Sequence, residues 1–126
     1  MTVRDVAGCR VFVVEDEMLI ALQIENTLSE LGCQVVGPTA KLETALQLVD
    51  EVAFDVAILD VTVRGGKIFP VAEKLAARSI PFAFASGYGD WALPAPMRSR
   101  PRLMKPFTEA ALEELIDALC AEVRSG

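Results

Sequence analysis

The chain of 126 residues has the size of one domain, and with 52% hydrophobic and 24% charged residues it can bury a core without disulfides. Its net charge of −6 argues against binding to nucleic acid, whose phosphates require clustered Lys and Arg. With no histidine, a zinc site and a catalytic triad are excluded, and the three cysteines in apolar stretches indicate reduced core thiols. No signal peptide and no run of about 20 apolar residues is present, so we expect one cytoplasmic domain, residues 1–126, that does not contact a membrane.

Five short apolar runs predict buried parallel strands. They are rich in Val, Ile and Phe, the residues that strands covered on both faces require. The runs lie at residues 11–14, 35–36, 56–59, 82–85 and, more weakly, 103–104.

Four further segments place apolar residues at the spacing of an amphipathic helix. The residues at that spacing are Ile20, Ile24, Leu28 and Leu31; Leu42, Ala45, Leu46 and Val49; Val71, Ala72, Leu75 and Ala76; and Leu112, Leu115, Ile116, Leu119 and Val123. Gly32 is expected to end the first helix, and the second is expected to start near Thr39. Pro70 fits only the first turn of the third helix, and Thr108 is the expected N-cap of the last.

The segment 87–101 breaks this alternation. It contains two glycines and three prolines, so a full-length helix is not expected there. We predict a short helical turn or a mobile loop. The alternation of strands and helices elsewhere predicts an α/β fold, with a doubly wound parallel sheet between two layers of helices.

Polar residues stand where four of the predicted strands end. Glu15 and Asp16 follow the first strand, Asp60 the third, Ser86 the fourth and Lys105 the fifth. The carboxyl ends of parallel strands meet at one edge of the sheet, where ligands bind in such folds. Each residue taken alone has an ordinary explanation as a helix-turn acid, a turn residue, a loop hydroxyl or a surface lysine. Their joint position at strand ends predicts a common site.

This set of side chains suits phosphoryl transfer. Clustered carboxylates repel one another unless a cation lies among them, and a set of oxygen ligands suits Mg²⁺. The Asp60 carboxylate can attack phosphorus as a nucleophile and form an acyl phosphate. The metal and Lys105 would neutralise the equatorial oxygens, and the Ser86 hydroxyl would donate a hydrogen bond to one of them.

With these residues the sequence resembles the response-regulator receiver domain, the family of the chemotaxis regulator. The matching motifs are Val13-Val14-Glu15-Asp16, Ile58-Leu59-Asp60, Ala85-Ser86-Gly87 and Lys105-Pro106-Phe107. Together they span nearly the whole chain, and their combination is specific to the family. The stretch 84–88 also resembles the signature of FATGUY-type single-domain regulators, with Ser in place of Thr.

The resemblance implies a flavodoxin-like sheet with strand order 2-1-3-4-5 and a receiver domain without an effector domain. It implies Asp60 as phosphoacceptor, with Mg²⁺ held by Glu15, Asp16, Asp60 and the main-chain carbonyl of Thr62. A histidine kinase or histidine phosphotransferase would be the donor, and the signal would leave through a downstream protein or end as a phosphate sink. It also implies a cis Lys105–Pro106 bond and a signalling module that phosphorylates and slowly dephosphorylates itself, as opposed to an enzyme.

Two positions depart from the family pattern. Arg64 stands where the family has a proline after the phosphoacceptor, and two glycines follow it, so that loop should differ in course and mobility. Arg102 stands where the family has an aromatic switch residue; Tyr88 or Trp91 could replace it, although packing is the commoner role of such rings. We therefore expect ordering of the segment 87–101, instead of rotation of one ring, to transmit phosphorylation.

Three other functions are compatible with an α/β fold. A phosphohydrolase with an aspartyl nucleophile needs an Asp-x-Asp motif after the first strand and a cap domain, and Glu15-Asp16-Glu17 lacks that spacing. A flavodoxin-like cofactor carrier needs a Ser/Thr/Gly phosphate loop at that point, where acids would repel the phosphate. An interaction module that works without phosphorylation stays open, and Mg²⁺ binding would discriminate between it and a phosphoacceptor.

Overall fold

The computed structural model describes residues 6–87 and 93–125, with side chains up to Val123. The strands in this part of the chain are β1 (Arg10–Val14), β2 (Gln34–Thr39), β3 (Val56–Asp60), β4 (Thr62–Val63), β5 (Gly66–Lys67), β6 (Phe82–Ser86) and β7 (Arg102–Met104). The helices are α1 (Met18–Glu30), α2 (Leu42–Glu51), α3 (Phe69–Ala77) and α4 (Glu109–Ser125), and Ala95–Met97 forms a 3₁₀ turn. No helix among these residues is long and apolar enough to cross a bilayer.

The central sheet has five parallel strands in the order β2-β1-β3-β6-β7. Counted without the separate β4–β5 pair, this is the flavodoxin-like order 2-1-3-4-5, so the predicted doubly wound fold is confirmed. The chain starts near the middle of the sheet, winds to one edge and then to the other. The carboxyl ends of β1 and β3 therefore lie side by side where the winding direction changes, which is where such folds bind ligands.

Strand β1 shows how the sheet divides the core. Val11 and Val13 belong to the cluster that contains α1 and α4, whereas Phe12 and Val14 belong to the cluster that contains α2 and α3. A strand covered on both faces needs a continuous apolar run, which is what the sequence has there. Burying one such side chain stabilises the fold by about 1.5–3 kcal/mol, so the two layers fix the position of the strand end.

The helix ends agree with most of the sequence predictions. Gly32 follows α1 with a φ of +83°, and Pro70 lies in the first turn of α3. The hydroxyl of Thr108 accepts a hydrogen bond from Ala111 N at 3.0 Å and so caps α4. All three cysteines are buried thiols, as expected of a reduced protein.

The predicted start of the second helix near Thr39 is wrong. Thr39 is the last residue of β2, and its carbonyl accepts a hydrogen bond from Glu15 N at 2.9 Å. The helix begins three residues later at Leu42, with Lys41 as the N-cap. The β-branched Thr39 therefore continues the sheet, and its contact with the end of β1 outweighs its capping preference.

The loop after Asp60 forms a short hairpin beside the start of α2. Residues 62–63 and 66–67 pair as an antiparallel hairpin, β4–β5. Arg64 lies in its turn, donates a backbone hydrogen bond to Ala40 O at 3.2 Å and accepts one from Leu42 N at 2.8 Å. A proline has no N–H and could not make the first of these bonds. The hairpin is thereby attached to the start of α2.

The short helical turn predicted between Gly87 and Pro101 is present at Ala95–Met97. Leu93 and Met97 are buried on the α2–α3 side of the sheet, and Arg98 Nε donates a hydrogen bond to Leu93 O at 3.0 Å. The two aromatic residues proposed as substitutes for the switch residue, Tyr88 and Trp91, lie outside the described residues.

Candidate phosphoryl and metal site

The structure brings the predicted polar residues to one edge of the sheet. Glu15 follows β1, Asp60 and Ser86 end β3 and β6, and Lys105 follows β7. Glu15, Asp60 and Ser86 are buried, with exposed fractions of 2%, 5% and 1%. Burial of polar groups costs folding free energy unless each group forms a hydrogen bond or an ion pair. Each of these side chains therefore needs such a partner.

Three carboxylates form the centre of the site. Glu15, Asp16 and Asp60 each place one oxygen within 4.8 Å of the oxygens of the other two. Burial raises the pKa of Asp60 to about 8, helped by hydrogen bonding of its protonated form to Glu15 and by repulsion from that charge. Asp60 therefore holds a proton at neutral pH, and a bound cation would displace it.

The ammonium of Lys105 is the cation that the chain itself supplies. Its Nζ lies 2.8 Å from Glu15 Oε1, 3.2 Å from Asp60 Oδ2 and 3.5 Å from Glu17 Oε1. Burial alone would lower the pKa of Lys105, but the hydrogen bonds and charges of Glu15 and Asp60 outweigh it and raise the pKa. The Lys105–Pro106 bond is cis, as the resemblance implies.

Lys105 supplies a single positive charge to a cluster of three carboxyl groups. Glu15 Oε1 is buried and forms an ion pair with the ammonium of Lys105 at 2.8 Å. Its neighbour Oε2 accepts a hydrogen bond from Glu17 N at 3.0 Å. The buried Glu15 carboxylate, with two further carboxylates beside it, offers the set of oxygen donors that a hard divalent cation such as Mg²⁺ prefers. The residues present therefore fit the metal that the sequence predicts.

The hydroxyl of Ser86 has a partner that the sequence did not predict. Its Oγ donates a hydrogen bond to the sulfur of Met104 at 3.7 Å, and its carbonyl accepts one from Lys105 N at 2.8 Å. Ser86 thus contacts both residues at the end of β7.

Thr62, the predicted source of a metal-binding carbonyl, is the first residue of the β4–β5 hairpin. Its side-chain hydroxyl accepts a hydrogen bond from Lys67 Nζ at 2.7 Å. No contact in the structure tests whether its carbonyl binds a metal, so that role stays a prediction.

Sequence reasoning missed Glu17 and Met104. Glu17 stands directly after the acidic pair, and that adjacency was the signal that could have found it. Met104 contacts Ser86 through its side chain, between β6 and β7, and such a contact leaves no periodic pattern in the sequence.

Comparison with known proteins shows which class of protein has this fold. No family model matches the sequence, and no curated protein matches it. Among solved structures, SdrG from Sphingomonas melonis Fr1 is 42% identical, with a TM-score of 0.80 over 95% of this chain and 99% of SdrG. A structure of the BeF3-activated conformation of SdrG is 43% identical, with a TM-score of 0.72 over 93% of this chain and 98% of that one.

The response regulator PhyR from Brucella abortus is 28% identical, with a TM-score of 0.78 over 94% of this chain. The match covers 51% of PhyR, so this chain spans about half the length of that protein. A doubly wound sheet with an acidic cluster and a lysine at its carboxyl edge is suited to phosphoryl chemistry. The chain belongs to the response-regulator receiver domains, which are signalling modules of two-component systems.

Proposed function

We propose that this receiver domain accepts a phosphoryl group on Asp60 from the phosphohistidine of a histidine kinase or histidine phosphotransferase. The P–N bond of the donor breaks, its imidazole leaves, and a bond forms between phosphorus and a carboxylate oxygen of Asp60. The observation that carries the proposal is the position of Lys105 Nζ, 3.2 Å from Asp60 Oδ2 and 2.8 Å from the buried Glu15 Oε1.

Each remaining residue has a role in that step. Glu15 and Asp60 hold the ammonium of Lys105 at the site. Only a short movement would therefore bring it from these carboxylates to a phosphoryl oxygen on Asp60. The Ser86 hydroxyl can donate a hydrogen bond to a second phosphoryl oxygen. Mg²⁺ held by Glu15, Asp16, Asp60 and the Thr62 carbonyl would supply the charge that keeps Asp60 ionised and neutralises the transferred group.

The output of such a domain is a contact with another protein, or the domain acts as a phosphate sink. The similarity to response regulators among the solved structures supports a contact with another protein as the output. We propose a downstream protein whose affinity changes with phosphorylation of Asp60.

Phosphorylation by acetyl phosphate in the presence of Mg²⁺ tests the assignment without an identified kinase. We expect one phosphoryl group per chain, stable in acid and released by base, as measured by mass spectrometry and on phosphate-affinity gels. Asp60→Asn should abolish the label, because the amide oxygen is a poor nucleophile.

The matched control is Asp50→Asn. Asp50 is exposed on α2, where it pairs with Lys74 and Arg78, so its loss should leave the label unchanged. Full labelling of Asp60→Asn would contradict the proposed acceptor. A wild-type chain that takes no phosphoryl group with Mg²⁺ present would favour an interaction module that works without phosphorylation.

A further inference from the structure

One hydrogen bond connects the buried carboxylate site to an exposed side chain. The Ser86 hydroxyl donates to Met104 Sδ at 3.7 Å, and the two residues are register partners in β6 and β7. Ser86 is 1% exposed, whereas Met104 is 56% exposed. A change in the hydrogen bond that the Ser86 hydroxyl donates would therefore affect a side chain at the protein surface.

Met104 lines a groove of about 560 Å³ between β7 and α4. The walls of this β7–α4 groove also include Arg102, Phe107 and Leu115. A thioether side chain has three rotatable bonds and fills irregular spaces in several conformations. A change in the partner of Met104 Sδ would therefore change the shape of the groove.

The two possible acceptors for the Ser86 hydroxyl differ in strength. A hydroxyl has a single proton to donate, and a thioether sulfur is a weak acceptor. A phosphoryl oxygen is charged and accepts a much stronger hydrogen bond. Asp60 is the register partner of Ala85, the residue before Ser86, so a phosphoryl group on Asp60 would form beside this hydroxyl.

We infer that Met104 couples the phosphoryl site to the β7–α4 groove: phosphorylation of Asp60 withdraws the Ser86 hydroxyl from Met104 Sδ, and the released side chain adopts a new conformation in the groove. The inference rests on the proposed function. It gives Met104 a coupling role, since Arg102 occupies the position at which the family has an aromatic residue.

Methyl-labelled methionine reports on this coupling directly, because the chain has only four methionines. Beryllofluoride with Mg²⁺ would serve as the phosphoryl mimic, and a bound ¹⁹F signal would show that the site is filled. The Met104 methyl resonance should move as that signal appears in the wild type. In Ser86→Ala at saturating beryllofluoride it should not move, because the donor is already absent.

A substitution on the acceptor side gives a second measurement. Met104→Leu keeps the volume but removes the acceptor, so the Ser86 hydroxyl no longer has to leave a partner. Beryllofluoride should bind about twofold more tightly, as expected for loss of one weak competing hydrogen bond. Met97→Leu, at a buried methionine under the 3₁₀ turn, is the control and should leave the affinity unchanged.

The outcomes separate this inference from the proposed function. A Met104 resonance that stays in place when the ¹⁹F signal is saturated, or that moves equally in Ser86→Ala, would overturn the coupling and leave the phosphoryl site intact. Unchanged beryllofluoride affinity in Met104→Leu would also count against the coupling. Absence of any bound ¹⁹F signal would contradict the phosphoryl site and the coupling together.

Discussion

The carboxyl group of Asp60 is subject to two opposing influences. Its burial and the neighbouring Glu15 favour the protonated form, whereas the ammonium of Lys105 favours the ionised form. The first influence is stronger, and the pKa rises to about 8. A carboxyl group must be ionised to attack phosphorus, so in the proposed function Asp60 would depend on a bound cation at neutral pH.

We expect the metal-free wild type to lose stability relative to Asp60→Asn as the pH rises. The folded Asp60 keeps its proton up to about pH 8, whereas the unfolded chain loses it near the ordinary value of 3.8. Between these values the folded state binds more protons, so the free energy of unfolding falls with increasing pH. Urea unfolding in chelator at several pH values, for both proteins, measures the difference.

The amide of Asp60→Asn does not titrate, so the difference between the two proteins isolates this group. A difference in unfolding free energy that is flat from about pH 5 to pH 8 would show that the Asp60 pKa is not raised.

At the scale of elements, the end of β2 depends on one glycine. Gly37 has a φ of +99°, and a Cβ there would lie 2.8 Å from Val13 O and 2.9 Å from Thr39 N. The β1–β2 register shifts at this place, between Phe12 and Val14. The close approach of the two backbones sets where β1 ends, and so where Glu15 lies.

Gly37→Ala should therefore be more destabilising than Gly8→Ala. Gly8 has a φ of +83°, but an added Cβ there would meet no atom within 4 Å, so this substitution carries the conformational penalty alone. That penalty is about 1–2 kcal/mol, and the backbone clash at Gly37 should bring the total to about 2–4 kcal/mol. Urea unfolding of both variants measures the costs, and equal costs would show that β2 can move away from β1.

The predictability of each element follows from the range of the interactions that form it. The strand β3 and the helix α4 are specified by local apolar patterns, and the sequence predicts both. The β4–β5 hairpin is too short to show alternation, and it is fixed by bonds between Arg64 and the start of α2. Thr39 has equal local preference for a cap and a strand end, and the contact with Glu15 N decides.

The same reasoning applies to the site. Glu15, Asp60 and Lys105 could be placed together from sequence, because each stands at the end of a strand and parallel strands share one edge. The partner of the Ser86 hydroxyl could not, because it depends on where the side chain of Met104 reaches. Sequence shows which residues share the edge, and side-chain packing decides which of them touch.

At the scale of the whole molecule, the carboxylate cluster would connect metal binding to global stability. Glu15, Asp16 and Asp60 lie at the ends of β1 and β3, the two adjacent strands whose side chains belong to both halves of the core. Once Asp60 is ionised, repulsion among the three groups in the absence of a metal is therefore a repulsion between the ends of the two central strands. A cation that binds only the folded state relieves it and stabilises the molecule by mass action.

We expect Mg²⁺ to raise the melting temperature, and to raise it more at pH 8 than at pH 6. At ten times the dissociation constant the gain in unfolding free energy is about 1.4 kcal/mol, equivalent to a few degrees in Tm. The gain grows with pH because Mg²⁺ must displace the proton that Asp60 holds up to about pH 8. Asp16→Asn, at the partly exposed member of the cluster, should weaken the effect, whereas Asp50→Asn should preserve it. Calorimetric scans of the wild type and these two variants, with Mg²⁺ or with chelator, measure both effects. A Tm that Mg²⁺ does not change at pH 6 or at pH 8 would mean that the three carboxylates do not form a metal site.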